Sequence, residues 1–288
     1  MQIIYWLFLG IAATILLNLG KGVSKYGLKR MGEKKKSKKK YGVIWIGGIF
    51  ITASSVFLNY FALDMGEASV IAALAGIGLI AVIIFSYYIL DEKLDKIIYI
   101  GIGLTIIGTV IVGIFTIETH QEYINFGYFW IFFAIGIVFL IIGMIYSFTH
   151  KYKFFGFVFG GAAGLFSGFG VVMEKMGLII NGGAMEFFEN PFSLGNIIIY
   201  LAILIGLGAT AFTQYGLSKG KASIVIPAYN SLYIIIPLMC ELIVFYTTLA
   251  IPQYIGIIII IIGIFLMTAI KPVSLDTSII KNKNDKDH

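Results

Sequence analysis

Charge is what this sequence has least of. Asp, Glu, Lys and Arg make up 12% of its 288 residues, about half the roughly 25% of an ordinary soluble domain. With 59% hydrophobic residues and a mean hydropathy of +0.95, the chain cannot cover a water-facing surface. That excludes a soluble enzyme, a disordered chain and a single-anchor protein. Cysteine is nearly absent: Cys240 stands alone in an apolar run, so neither an intrachain disulfide nor a cysteine metal cluster is expected. The three histidines, His120, His150 and His288, fall in expected loops or the tail. No H-E-x-x-H occurs and no paired intramembrane aspartates. The nearest approach to G-x-S-x-G, at Gly164 to Gly168, has Ser167 one place late. These absences argue against an enzyme. The net charge of +6 and pI near 9.1 do not call for nucleic acid; in a membrane chain, basic residues mark cytoplasmic loops.

What is present is long apolar runs. A spanning helix needs about 20 apolar residues, and nine such runs are expected near 3–28, 41–63, 69–90, 97–117, 126–148, 154–180, 196–217, 222–247 and 254–270. They are continuous rather than alternating, which argues for an all-α polytopic bundle over a barrel. The first run lacks the basic start of a signal peptide. Nine spans put the termini on opposite sides. Counting alternate connections, Lys29 to Lys40, Lys93, Lys96, Lys151, Lys153, Lys219, Lys221 and the tail lysines share a side with Lys21 and Lys25, so that 20 of 21 basic residues lie together and only Lys175 does not. The other side holds Asp64, Glu67, Glu118, Glu122, Glu186 and Glu189. The expectation is a multi-pass plasma-membrane protein, N-terminus outside and C-terminus cytoplasmic. The lysines at 34–40 are either a topology anchor or a contact for anionic lipid.

The sequence repeats itself. Residues 10–28, GIAATILLNLGKGVSKYGL, align with 160–178, GGAAGLFSGFGVVMEKMGL, both ending K-x-G-L. In order, Phe57-x-Asn59-Tyr60 matches Phe212-x-Gln214-Tyr215, and Gly66-x-Ala68-Ser69 matches Gly220-x-Ala222-Ser223. Tyr99-Ile100-Gly101 then matches Tyr254-Ile255-Gly256, and Gly108 matches Gly263. Spans 1–4 (1–117, with the basic loop 29–40) therefore repeat as spans 6–9 (154–270). Span 5 (118–153) joins them, and a polar tail (271–288) follows. Five crossings separate the two copies, so they are inverted, as in secondary transporters whose halves rock about a midplane site.

At these residues the chain resembles the drug/metabolite transporter superfamily and, in layout, its NIPA-type magnesium transporters: nine spans in a 4+1+4 arrangement and a first helix ending Lys25-x-Gly27-Leu28. The turn Asp91-Glu92-Lys93-Leu94, the stretch Thr213-Gln214-Tyr215-Gly216-Leu217 and the motif Val225-x-Pro227-x-Tyr229 carry the resemblance further. The resemblance covers most of residues 3–270. EamA-like exporters of the same superfamily are more distant, usually showing ten spans where this chain has the basic loop. Two departures stand out: Ala73 occupies the place of the family's first-half proline, and residues 246–252, YTTLAIP, lack its acidic turn. The resemblance implies alternating-access transport of a small solute, either Mg²⁺ or another divalent cation, or amino acids, metabolites or drugs. A non-transporting scaffold or receptor is the remaining alternative. No cofactor is implied, Mg²⁺ entering only as substrate. The bilayer and the solute are the expected partners, with a homodimer left open.

Candidate pathway residues follow from polarity at membrane depth. Glu241 is the one carboxylate well inside an expected span, a candidate cation ligand or proton carrier. Asn59, Tyr60, Gln214 and Tyr215 are repeat mates, and Asn18, Tyr229 and Asn230 lie on spans 1 and 8; each either lines a cavity or ties helices together. Lys25 and Lys175, with Glu174 beside the latter, are candidates for gating or charge pairing, or for snorkelling to headgroups. Pro227 and Pro237 are expected to break span 8. Gly156, Gly160, Gly164 and Gly168 form a small-residue stripe, a candidate sliding contact between halves. The expected cavity lies among spans 1, 3, 6 and 8, with Glu241 at its outer wall.

Overall fold

A computed structural model describes residues 2–33, 37–66, 68–91, 96–115, 123–150, 154–246 and 250–269. The described residues form helices α1 (Gln2–Glu33), α2 (Lys38–Met65), α3 (Ala68–Ala73), α4 (Ala75–Tyr88), α5 (Lys96–Ile114) and α6 (Phe126–Thr149). After these come α7 (Phe155–Asn181), α8 (Glu186–Glu189), α9 (Leu194–Lys219), α10 (Ala222–Ile243) and α11 (Ile251–Ala269). Among them six are long and apolar enough to cross a membrane, and three shorter apolar helices lie in α4, α5 and α11. Every expected span coincides with a helix, and the molecule is an all-α polytopic membrane bundle. Helices are the form such runs must take, because lipid offers their backbone no partners.

Three local features differ from expectation. Span 3 is two pieces, α3 and α4, meeting at a turn at Leu74. The helices flanking the basic loop extend into it, α1 to Glu33 and α2 from Lys38, since polar residues beyond the hydrocarbon do not prevent helix. A short helix, α8, sits in the connection after α7. Lys34 to Lys36, Glu67, Glu92 to Lys93, Glu118, His120, Glu122, Lys151, Lys153 and the tail with His288 lie outside the described residues.

The packing repeats as the sequence does. α1 lies along α2 and α7 along α9; α1 packs on α4 and α7 on α10; α5 pairs with α11. The last pairing is reciprocal. A Cβ on Gly108 would stand 2.6 Å from the Gly256 oxygen, and one on Gly263 would stand 2.6 Å from the Gly101 oxygen. Exchanging repeat mates turns one contact into the other, and the register makes α5 and α11 antiparallel. One core cluster joins the halves: Trp6, Ala62 and Ile71 pack with Val171, Tyr229 and Tyr233. In lipid such packing rests on close contact and hydrogen bonding rather than escape from water. α6 lies outside, exposing Trp130, Ile131, Phe139 and Ile142 while Phe129 turns onto Phe169 of α7.

The glycine stripe has a different partner from the one expected. Gly160 and Gly164 lie so close to the Val225 and Tyr229 carbonyl oxygens that neither has room for a Cβ. Both contacts are with α10, within the second half, rather than between halves.

Candidate solute chamber

The elements that set the site begin at two helix ends. α2 stops at Gly66 and α9 at Gly220, each in extended conformation (φ −128°, ψ 167° and φ −103°, ψ 162°), with α3 and α10 starting two residues later. A helix end leaves carbonyl oxygens without intrahelical partners. Lysines from the other half supply them. Lys25 on α1 donates to the Leu217 and Gly220 oxygens at 2.8 and 2.6 Å. Lys175 on α7 donates to those of Leu63 and Gly66 at 3.0 and 3.1 Å. The cations also meet the negative end of each helix dipole.

The two caps lie far apart. At the start of α2, Trp45 stands against Gly27 of α1. At its end, Asp64 accepts from the Ala184 amide at 2.9 Å, just beyond α7. α1 and α7 therefore end at opposite ends of α2, a helix of 28 residues and so about 42 Å long.

Between them lies a cavity of about 400 Å³, lined by α1, α2, α7, α8, α9 and α10, within the range of small-molecule sites. Most of its wall is apolar, with Ile49, Val56, Phe57 and Phe61 on α2 and Ile203 and Leu207 on α9. Phe187 and Phe188 of α8 also line it. Asn181, Ser193 and Asn196 hold that connection: Ser193 donates to Asn181 and Asn181 to Asn196, each at 2.8 Å. The polar groups in the wall are few: Lys21, Thr52, Tyr60, Ser167, Glu174, Thr210, Thr213, Gln214 and Tyr229. A smaller space of about 80 Å³, containing Asn59, shares Glu174, Ser167 and Tyr229 with it.

Glu174 is buried and hydrogen-bonded by Asn59. Gln214 accepts from the Trp45 indole at 2.9 Å, and Tyr60 donates to the Ala184 oxygen at 3.3 Å. Asn59, Tyr60, Gln214, Tyr229 and Glu174 are thus brought together. Six other sequence candidates are not. Asn18 and Asn230 bond to each other at 2.8 Å where α1 crosses α10, lining neither space. Tyr215 faces outward and accepts from Lys219 at 2.9 Å. Glu241 is buried beside Cys240 and lines neither cavity. Lys25 and Lys175 cap helices beyond the chamber wall. Glu174 and Lys175, adjacent on α7, both reach α2, Glu174 at Asn59 and Lys175 at the helix end, through the Leu63 and Gly66 oxygens.

Two further expectations are corrected. The chamber lies among spans 1, 2, 6, 7 and 8, not 1, 3, 6 and 8. Pro227 and Pro237 do not break span 8: α10 is continuous through both. Within α10 the Ser231 hydroxyl donates to the Pro227 oxygen at 2.8 Å. The interruption in span 3 is a turn at Leu74 that keeps right-handed helical angles (φ −60°, ψ −18°), beside Ala73, the repeat mate of Pro227.

Lys21 is the residue that sequence reading passed over as a topology marker. It is 2% exposed, and its ammonium lies 2.8 Å from the centre of the Tyr229 ring. Its repeat mate is Val171, an asymmetry visible in the sequence.

Residues 3–114, which run through the end of α5, match the EamA-like transporter family. Over 235 residues the chain is 27% identical to the "Probable magnesium transporter NIPA9" of Arabidopsis thaliana, covering 75% of this chain and 66% of that relative. The match thus spans just under two thirds of the relative's length. No solved structure matches the chain. Helices α1–α5 match an EamA-like transporter unit, and the chain resembles the drug/metabolite transporter superfamily and its NIPA-type members, as its motifs imply.

Proposed function

We propose that the chain is a secondary transporter that carries a small solute across the plasma membrane by alternating access. Its repeats, 1–117 and 154–270, are inverted about the chamber, with the N-terminus outside. One observation carries this reading: the reciprocal lysine caps, each joining one half to the other at opposite ends of the chamber. A bistable pair of end contacts around a midplane cavity is what alternating access requires. Opening one end releases one cap while the other holds.

Two solute classes compete. A divalent cation draws on the relative's name, and Mg²⁺ takes oxygen ligands, usually with one or two carboxylates. Glu174 is the one carboxylate among the described residues of the chamber wall, and Lys21 in the same wall repels a cation. An organic solute suits the wall better, because most of the lining would otherwise face a hydrated ion with apolar carbon. Solute counterflow into vesicles containing the purified protein tests the transport reading. Uptake that saturates and needs the protein supports it; no counterflow of Mg²⁺ or of any metabolite in a broad panel contradicts it.

A further inference from the structure

Buried cations normally find anions or several hydrogen-bond acceptors, because leaving an ammonium desolvated is costly. Lys25 and Lys175 follow that rule, each with two carbonyl oxygens. Lys21 does not. It lies one helical turn before Lys25 on α1, its ammonium has no hydrogen-bond partner among the described residues, and it is 2% exposed. Its contact is the face of Tyr229, which offers a cation attraction but no acceptor lone pair. Tyr229 is held in turn, stacked on Tyr233 with ring centres 5.7 Å apart. Lys21 and Tyr229 both line the 400 Å³ chamber. The Lys21 side chain thus forms part of the wall of a solute-sized space, while its ammonium, covered over by the Tyr229 ring, keeps its three donors unused among the described residues.

We infer that Lys21 is the anion-binding residue of the chamber, and that the transported solute is a small organic molecule bearing a carboxylate-type anionic group. This rests on the transport reading above and names its solute class. The anionic group accepts from the Lys21 ammonium, and the rest of the solute lies against the apolar wall of α2 and α9. Glu174, bonded to Asn59 on the neighbouring wall, takes donor groups of the solute. A solute with both an anionic and a cationic group leaves the chamber electrically balanced. Mg²⁺ would add two positive charges to a wall in which the Lys21 ammonium already offsets the Glu174 carboxylate.

Three probes of nearly equal size separate these chemistries: leucine, 4-methylpentanoate, which lacks the amine, and 3-methylbutylamine, which lacks the carboxylate. MgCl₂ is the fourth. Thermal stabilisation of the purified full chain in detergent reads binding without requiring transport. The carboxylates should stabilise the wild type, the amine and MgCl₂ should not, and leucine should act at lower concentration than 4-methylpentanoate. Lys21→Met, which keeps the length of the side chain, should raise the half-stabilising concentration at least about tenfold. Lys21→Arg should restore part of the response, and both variants should retain monodisperse, cooperative unfolding. Stabilisation by the amine or MgCl₂ alone, no response to either carboxylate, or an unchanged response in Lys21→Met overturns the inference. Carboxylate binding that depends on Lys21 without vesicle counterflow would overturn transport and leave the binding site standing.

Discussion

The Lys25 ammonium lies 2.6 Å from the Gly220 carbonyl oxygen, closing a contact between residues 195 apart in sequence. Lys175 makes the equivalent contact with Gly66, the repeat mate of Gly220. A charge-assisted hydrogen bond of this kind contributes about 1.5–3 kcal/mol. Lys25→Met should therefore lower the unfolding free energy by about that amount, with Lys25→Arg recovering part. Thermal unfolding in detergent measures it.

The same pair predicts direction. In a Cys240→Ala background, Thr210→Cys places a thiol at the chamber wall. Adding Lys25→Met should raise its labelling by an impermeant reagent from the Lys25 face, and adding Lys175→Met from the opposite face. Equal increases from one face in both variants would contradict the latch role.

Glycine spacing predicts a sharp contrast on one helix. Gly164 abuts the Tyr229 oxygen, whereas a Cβ on Gly161 would meet only Leu232 Cδ1, at 3.4 Å. Gly164→Ala should push α7 from α10 and cost about 1–3 kcal/mol through overpacking. Gly161→Ala should be neutral or stabilising, since alanine favours helix by about 1 kcal/mol over glycine. Thermal unfolding of the two variants side by side checks this.

Span positions were legible because hydrophobic length is a local property, and the repeat because its glycines and lysines kept their spacing. The fate of individual polar residues was not. Lys21 reads as a topology marker until Tyr229, 208 residues later, folds against it. Glu241 reads as a pathway residue because it is deep, yet depth does not say which way a helix face turns. The turn at Leu74 carries no proline to announce it, whereas α10 runs unbroken through its two prolines.

Asn18 and Asn230 serve as a tie between α1 and α10. Asn230→Leu should cost about 0.6–1.7 kcal/mol, the range for interhelical hydrogen bonds in membranes. It should leave the solute preference of the chamber unchanged, as neither asparagine lines it. Stability and counterflow with the three leucine-sized probes test the two halves of that statement.

The inversion of the repeats is the central claim, and two-sided labelling tests it most directly. Glu33 at the end of α1 and Glu189 in the connection after α7 are both exposed and lie in equivalent connections of the two repeats. In intact cells carrying Cys240→Ala, Glu189→Cys should react with an impermeant maleimide added outside. Glu33→Cys should react only after the membrane is opened. Reaction of both from the same side would contradict the account.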